Sequence, residues 1–504
     1  MPERTHAERA DPRVSTGIQG LDDILGGGLP SHRLYLVDGE PGTGKTTLAL
    51  QFLLEGRARG ERGLYVTLSE TAEELRASAD SHGWSIDGLE IFQLQAADAA
   101  GDEAYTLFHP AEVELSQTVE AVYSAVERAE PARVVFDTLS EMRLLARDAL
   151  RFRRQILSLK QFFVGRDCTV LLLDDRSAPE ADLQLHSLAH GVLMLEQLAM
   201  EYGSERRRLQ VKKLRGVRFR GGYHDFRIRT GGLELYPRIL SDRLVDGIPR
   251  DEIPSGSPEM DALLGGGLTR GTSLLVTGAA GTGKTVLSAQ YALTAVQRGE
   301  RARLYMFDER VATFRSRAAG LGLEVEDALA DGRLTLRQIE PTELSPGEFA
   351  HEIRRAVEQE GVSLMVLDSI NGYMQAMPTE RQLTVQVHEL LTYLTNHGVT
   401  IVMTLVQHGV FGGPVDEAAE VSYLADAVIL MRYFEHAGAV RQAISVVKKR
   451  SGAHERTIRE CRVGPGGLHV GEPLHEFRGV LTGVPEYVGH GEPLMAGSVD
   501  DSAR

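Results

Sequence analysis

Two segments of the chain, GEPGTGKT at 39–46 and GAAGTGKT at 278–285, share the pattern GxxxxGK[ST]. Glycines at those positions let the backbone wrap a phosphate chain, while successive N–H groups and a helix N-terminus meet its charge. The lysines, Lys45 and Lys284, are spaced to reach β- and γ-phosphates, and Thr46 and Thr285 to place a hydroxyl on Mg²⁺. The expected ATP-binding residues are therefore Gly42, Thr43, Gly44, Lys45, Thr46 and Thr47 in the first segment. In the second they are Gly281, Thr282, Gly283, Lys284, Thr285 and Val286. ATP and Mg²⁺ are the cofactors this pattern implies.

Further carboxylates complete such a site. RVVFDTLS at 133–140 and LMVLDSIN at 364–371 are apolar runs ending in Asp137 and Asp368, the place for an acid that holds the Mg²⁺ shell beside Thr46 and Thr285. A strand also ends at Asp for a blander reason, because Asp starts turns. Hydrolysis or phosphoryl transfer needs one more carboxylate, to orient or deprotonate the nucleophile. Glu70, Asp308 and Glu309 stand where one is required, at the end of the strand after each phosphate-binding helix. The plain alternative is that they are helix N-terminal acids favoured by the macrodipole.

These motifs repeat at a fixed distance. GIQGLDDILGGGL at 17–29 faces GSPEMDALLGGGL at 256–268, and LYVTLSE at 64–70 faces LYMFDER at 304–310. Gly26 and Gly265, Lys45 and Lys284, and Glu70 and Glu309 are each 239 positions apart, which signals one domain copied in tandem. Asp137 and Asp368 are 231 apart, so the copies have drifted between these motifs. VKKLRG at 211–216 against VVKKRSG at 446–452 is a further match. Short apolar runs such as HRLYLVDG and CTVLLLDD, or TSLLVTG and VTIVMTL, alternate with amphipathic stretches such as ALRFRRQILSLKQFFV. That alternation predicts α/β architecture twice over, each copy a mainly parallel sheet covered by helices. The expected limits are 14–245 and 246–484, the boundary falling in the polar, proline-punctuated SDRLVDGIPRDEIP, with tails at 1–13 and 485–504.

A length of 504 residues exceeds one core, and 42% hydrophobic with 25% charged residues is ordinary for a soluble globular chain. The balance of 55 basic and 71 acidic residues gives a net charge of −16, which disfavours non-specific binding to nucleic acid. Two distant cysteines make no disulfide framework or zinc site and suit a reducing cytosol. The polar N-terminus has no apolar signal segment, and no run reaches the ~18 apolar residues of a membrane span, so a cytoplasmic protein is expected. Trp84 reads as a packing residue and ERRR at 205–208 as a solvated hairpin.

Beyond the phosphate motifs, the chain resembles the KaiC family, RecA-superfamily ATPases of the cyanobacterial clock and their bacterial relatives. The resemblance rests on STGIQGLDDILGGGLP, LYVTLSETAEEL, FHPAEVELSQTVEAV, KLRG, HERTIRE and the tail FRGVLTGVPEY, and it spans about residues 14 to 488. It implies two tandem RecA-like P-loop domains in a homohexamer of double-ringed subunits, with ATP held between neighbours. Lys213 and Arg215 would then serve a neighbour's first-domain ATP, and Lys448 and Arg450 the second ring. The family pairs a first-domain ATPase with a second-domain Ser/Thr autokinase, and it implies KaiB-like or histidine-kinase-type regulatory partners. Two departures matter. The family's acidic pair after the first-domain strand is here Ser69–Glu70, leaving Glu70 alone to position water, whereas Asp308–Glu309 keeps the pair with Asp308 as base. In VSYLADAVIL at 421–430, Ser422 matches an acceptor and Tyr423 stands where threonine is expected, which leaves Ser422 as the phosphoacceptor. The rivals are an ATP-gated hexameric scaffold without kinase activity and a RecA-type nucleic-acid-dependent ATPase.

Overall fold

The computed structural model describes residues 12–93, 110–146, 148–175, 182–200, 203–240, 247–249, 251–340, 342–375, 383–407, 422–480 and 486–488. The chain divides into two compact units, one up to Arg238 together with Ser345–His351, the other the remainder. The boundary read at 245/246 lies outside the described residues, as do most of the two tails. Arg13 and Glu486–Tyr487 are described, and both sit in two-stranded ribbons, with Leu29–Pro30 and Phe477–Arg478 respectively.

Among the described residues each unit is built on a nine-stranded sheet. In the first, the strand Leu34–Gly39 lies between Thr169–Asp175 and Gly191–Leu198, parallel to both. Beyond Thr169–Asp175 come Arg133–Asp137, Gly63–Thr67 and Glu90–Gln93, again parallel. Past Gly191–Leu198 the direction alternates: Arg206–Leu214, Tyr223–Arg229 and Gly232–Tyr236 form an antiparallel extension. The second sheet repeats this order, with Ser273–Gly278 between Thr400–Val406 and Ala427–His436, and an antiparallel extension beginning at Ala439–Lys449. The parallel part was read from the sequence. The extension is an addition, and it contains ERRR at the start of its first strand.

Alternation along a strand assigns side chains to the two faces. Tyr35 and Val37 join a core with Leu21, Leu48 and Phe52, on the face covered by Gln19–Leu25 and Lys45–Ala58. Leu34 and Leu36 join the opposite core with Val122, Phe152 and Ile156. Helix Ala149–Phe163 shows how sequence sets this packing: Asp148 caps Leu150 N, and Phe152, Ile156, Leu159 and Phe163 recur at helical spacing and are buried. Trp84 packs at the rim of the first core. Among the described residues no helix is long and apolar enough to cross a membrane.

The helix that follows each glycine loop is tied to its extension by one glutamine. Gln51 Oε1 accepts from Leu233 N at 2.8 Å, and Gln290 Oε1 accepts from Leu468 N at 2.9 Å. The approach is close enough that a Cβ on Gly232 would lie 2.5 Å from the Gln51 side chain, and one on Gly467 2.4 Å from that of Gln290.

Candidate functional site: two phosphate cradles

Each glycine loop joins the C-terminal end of a central parallel strand to the first residue of a helix, Lys45–Ala58 or Lys284–Gln297. Gly44 and Gly283 cap these helices at φ 98° and 101°, a left-handed conformation that glycine adopts without strain. A Cβ on Gly44 would also meet Ile228 at 2.6 Å, so the position is closed to side chains twice over. The helix N-terminus and the loop N–H groups form the anion cradle expected of the motif.

Within the first cradle Lys45 Nζ donates to Gly39 O at 2.7 Å and Glu40 O at 3.0 Å, and pairs with Asp175 Oδ1 at 2.8 Å. Thr46 Oγ1 lies 3.4 Å from Asp137 Oδ2, which also accepts from Tyr65 Oη at 2.5 Å. Asp137 is 5% exposed, and burial raises its pKa against the pull of Tyr65 and Lys45. A hydroxyl beside a carboxylate suits Mg²⁺, which takes one or two protein oxygens and shares the rest with phosphate and water. Thr46 and Asp137 would hold it here, and bound there it would neutralise charge on the phosphate oxygens. Glu70 follows the strand Gly63–Thr67, its backbone fixed by two bonds with Thr67 Oγ1, just before the capping box of Thr71 and Glu74. Burial, then Asp137, Glu74 and Asp175, raise the pKa of its half-buried carboxyl.

The second cradle keeps the backbone and changes the acids. Lys284 Nζ donates to Gly278 O at 2.9 Å and Ala279 O at 2.7 Å. Asp368 accepts from Thr404 Oγ1. In both copies the peptide bond after the strand-ending aspartate is cis. Asp308 is exposed and accepts at 2.5 Å from the Oγ of Ser369, the residue that follows Asp368. Glu309 is instead engaged by Arg317 at 2.8 Å, and burial raises its pKa. Among the described residues no hydrogen bond joins Thr285 to Asp368, so the hydroxyl–carboxylate pair of the first copy is not reproduced.

Burial, opposed by Asp368, pushes the Lys284 ammonium down to about 8. Only the charged form attracts phosphate, so nucleotide binding at the second site should weaken above that pH by up to about tenfold per unit. Titrating nucleotide into the Lys45→Ala chain between about pH 7 and 10 checks this. Lys284→Arg should flatten the dependence; an affinity independent of pH in the unchanged lysine would contradict it.

The late cations lie elsewhere. Lys213 Nζ donates to His186 O at 2.5 Å and Ala189 O at 2.8 Å, and Arg215 to Ser187 O at 2.8 Å. Lys448 Nζ donates to Ser422 O at 2.9 Å and Ala425 O at 2.7 Å, and Arg450 to Tyr423 O at 2.8 Å. The bonding is the same in both copies, so His186 occupies in the first the place of Ser422 in the second. Burial and the adjacent arginine lower the pKa of both lysines. These groups lie before the start of Gly191–Leu198 and Ala427–His436, strands parallel to those that feed the glycine loops at their far ends. Asp175 was read from the sequence only as the end of a strand. Its signal was available: aligning CTVLLLDD with VTIVMTLV shows a carboxylate in one copy alone.

The family model for the KaiC ATPase matches residues 14–239 and again 253–475. The circadian clock protein KaiC3 of a Synechocystis species is 26% identical over 490 residues, covering 95% of this chain and 96% of its own. The circadian clock oscillator proteins KaiC of a Picosynechococcus species and of Thermostichus vulcanus are each 28% identical over 485 residues, covering 94% of this chain and 92% of theirs. Two matched phosphate cradles on two repeated sheets agree with that double match: the chain belongs to the KaiC ATPase family.

Proposed function

We propose that this chain is a cytoplasmic, homohexameric Mg·ATP hydrolase whose second domain phosphorylates Ser422, acting in signalling or clock-type regulation with KaiB-like or histidine-kinase-type partners. The observation that supports it is the place of Ser422. It is held by Lys448 next to Arg450 at one end of the sheet, while the glycine loop of the same unit leaves the other end. The strand Ser273–Gly278 between them is six residues long, roughly 20 Å at ~3.3 Å per residue. In-line transfer needs the acceptor oxygen ~3–3.5 Å from phosphorus, so Ser422 is out of reach of its own nucleotide and within the province of a neighbour's. Lys448 and Arg450, at the same end, would meet that neighbour's phosphates, and Lys213 and Arg215 would do so in the first copy. Glu70 would position water at the first site, and Asp308 would take the acceptor's proton at the second.

Light scattering with a Mg·ATP analogue should give about six times the 55.2 kDa subunit mass. Phosphosite mapping after incubation with Mg·ATP should then find phosphate on Ser422. Mixing Lys284→Ala chains, which cannot supply phosphate, with Ser422→Ala chains, which cannot accept it, should phosphorylate the former. A monomer at every nucleotide concentration removes the shared site. A hexamer without phosphate on Ser422 favours the ATP-gated scaffold.

A further inference from the structure

The two phosphate-binding lysines are not in equivalent states. A lysine ammonium has three N–H donors. At Lys45 all three are engaged within the chain, by Gly39 O, Glu40 O and Asp175. Asp175 is placed for this by the sheet: it ends the strand beside the glycine-loop strand, level with Gly39, and Ser140 Oγ donates to it at 3.0 Å. The pair is sheltered, with the lysine side chain 8% and the carboxylate 29% exposed. In the second copy the residue level with Gly278 is Val406, and the two amide bonds of Asn371 to its backbone replace the Ser140–Asp175 contact. Lys284 there bonds two carbonyls, and among the described residues it makes no ion pair.

We propose that Asp175 is an ionic clasp on Lys45 that competes with incoming phosphate and sets the nucleotide affinity of the first site, a control the second site lacks. The inference rests on the reading of residues 39–46 as a phosphate cradle. A phosphate oxygen reaching Lys45 has to take over the donor that Asp175 holds, and until it does so it also faces the carboxylate's negative charge. Charge-assisted hydrogen bonds are about twice as strong as neutral ones, so this exchange opposes binding in a way that two backbone carbonyls do not. The clasp therefore makes the first site weaker and faster-exchanging than the same site would be without it.

The test is equilibrium binding of a fluorescent ATP analogue with Mg²⁺ to the full chain carrying Lys284→Ala, which reports the first site alone. Adding Asp175→Asn keeps the shape and the hydrogen bond from Ser140 while removing the charge. It should tighten binding roughly tenfold or more, chiefly through slower release. Asp175→Ser, shorter and neutral, should move affinity the same way and guards against an effect peculiar to the amide. An unchanged or weaker affinity in both variants overturns the clasp; weakening would mean that the carboxylate helps hold bound Mg·ATP. Lys45→Ala in the same background separates the two readings. Its loss of binding leaves the cradle standing whatever Asp175 does, and retained binding removes the cradle and the clasp together.

Discussion

Glu70→Gln, made in a Lys284→Ala chain so that only the first site turns over, is expected to lower ATP hydrolysis by about 10²–10⁴-fold. The isosteric amide keeps the fold around Thr67 and Thr71 but cannot accept a proton from water. Because Glu70 would act on the nucleophile and not on the phosphates, KM should change little while kcat falls. A pH profile supplies the second readout. Burial and the neighbouring Asp137 raise the pKa of Glu70, and the base must be ionised to work. Activity should therefore fall on acidification at a higher pH than the ~4.3 of an unperturbed glutamate. The neighbouring serine gives no relief, since Ser69 cannot act as a base near neutral pH. Hydrolysis within tenfold of the parent would move the water-positioning role to another group, with Asp175, whose charge also acts on Glu70, the next carboxylate to test.

Asp308→Asn should slow phosphate incorporation on Ser422 by at least about 10²-fold without weakening nucleotide binding. Of the two acids after the strand Arg301–Met306, Glu309 is occupied by Arg317 while Asp308 is exposed and, among the described residues, bonded through Ser369, the residue after Asp368. In the proposed arrangement an arriving hydroxyl would meet the exposed acid, while Glu309 would first have to leave Arg317. Timed mass spectrometry of the Ser422 peptide measures the rate, and a fluorescent nucleotide the binding. Glu309→Gln should be milder, since its carboxylate is already committed. A normal rate in Asp308→Asn together with a collapse in Glu309→Gln would exchange the two roles.

Much of this was legible beforehand because the relevant signals are short-range. The strands that feed the glycine loops are dense apolar runs bounded by turn residues, and the loops are contiguous. The 239-residue repeat distance doubled every such signal. What escaped is long-range or weakly patterned. Tyr223–Arg229, reading YHDFRIR, carries too many polar residues to announce a strand, and it owes its place to pairing with Arg206–Leu214. Lys45 and Asp175 are separated by 130 positions, and only the sheet register brings them together. The engagement of Lys213 and Lys448 by backbone carbonyls leaves no trace in residue type at all, because any residue supplies a carbonyl.

The glutamine ties give the duplicated design a gearing. Gln51 and Gln290 grip the main-chain N–H of Leu233 and Leu468, so the side chains at those two positions can change while the bond stays, whereas Gly232 and Gly467 leave no room for a side chain. Because the bond joins helix and strand directly, a small rotation of the helix after a glycine loop is expected to pull on the far strand of its own extension. The extensions also contain the strands Arg206–Leu214 and Ala439–Lys449, which carry Lys213 and Lys448 near their last residues, at the end of the sheet opposite the glycine loops. If the proposed roles hold, each copy links the loop that would grip phosphate to the strand that would present cations to a neighbour. The drift that separated the two sets of acids left both glutamine ties in place.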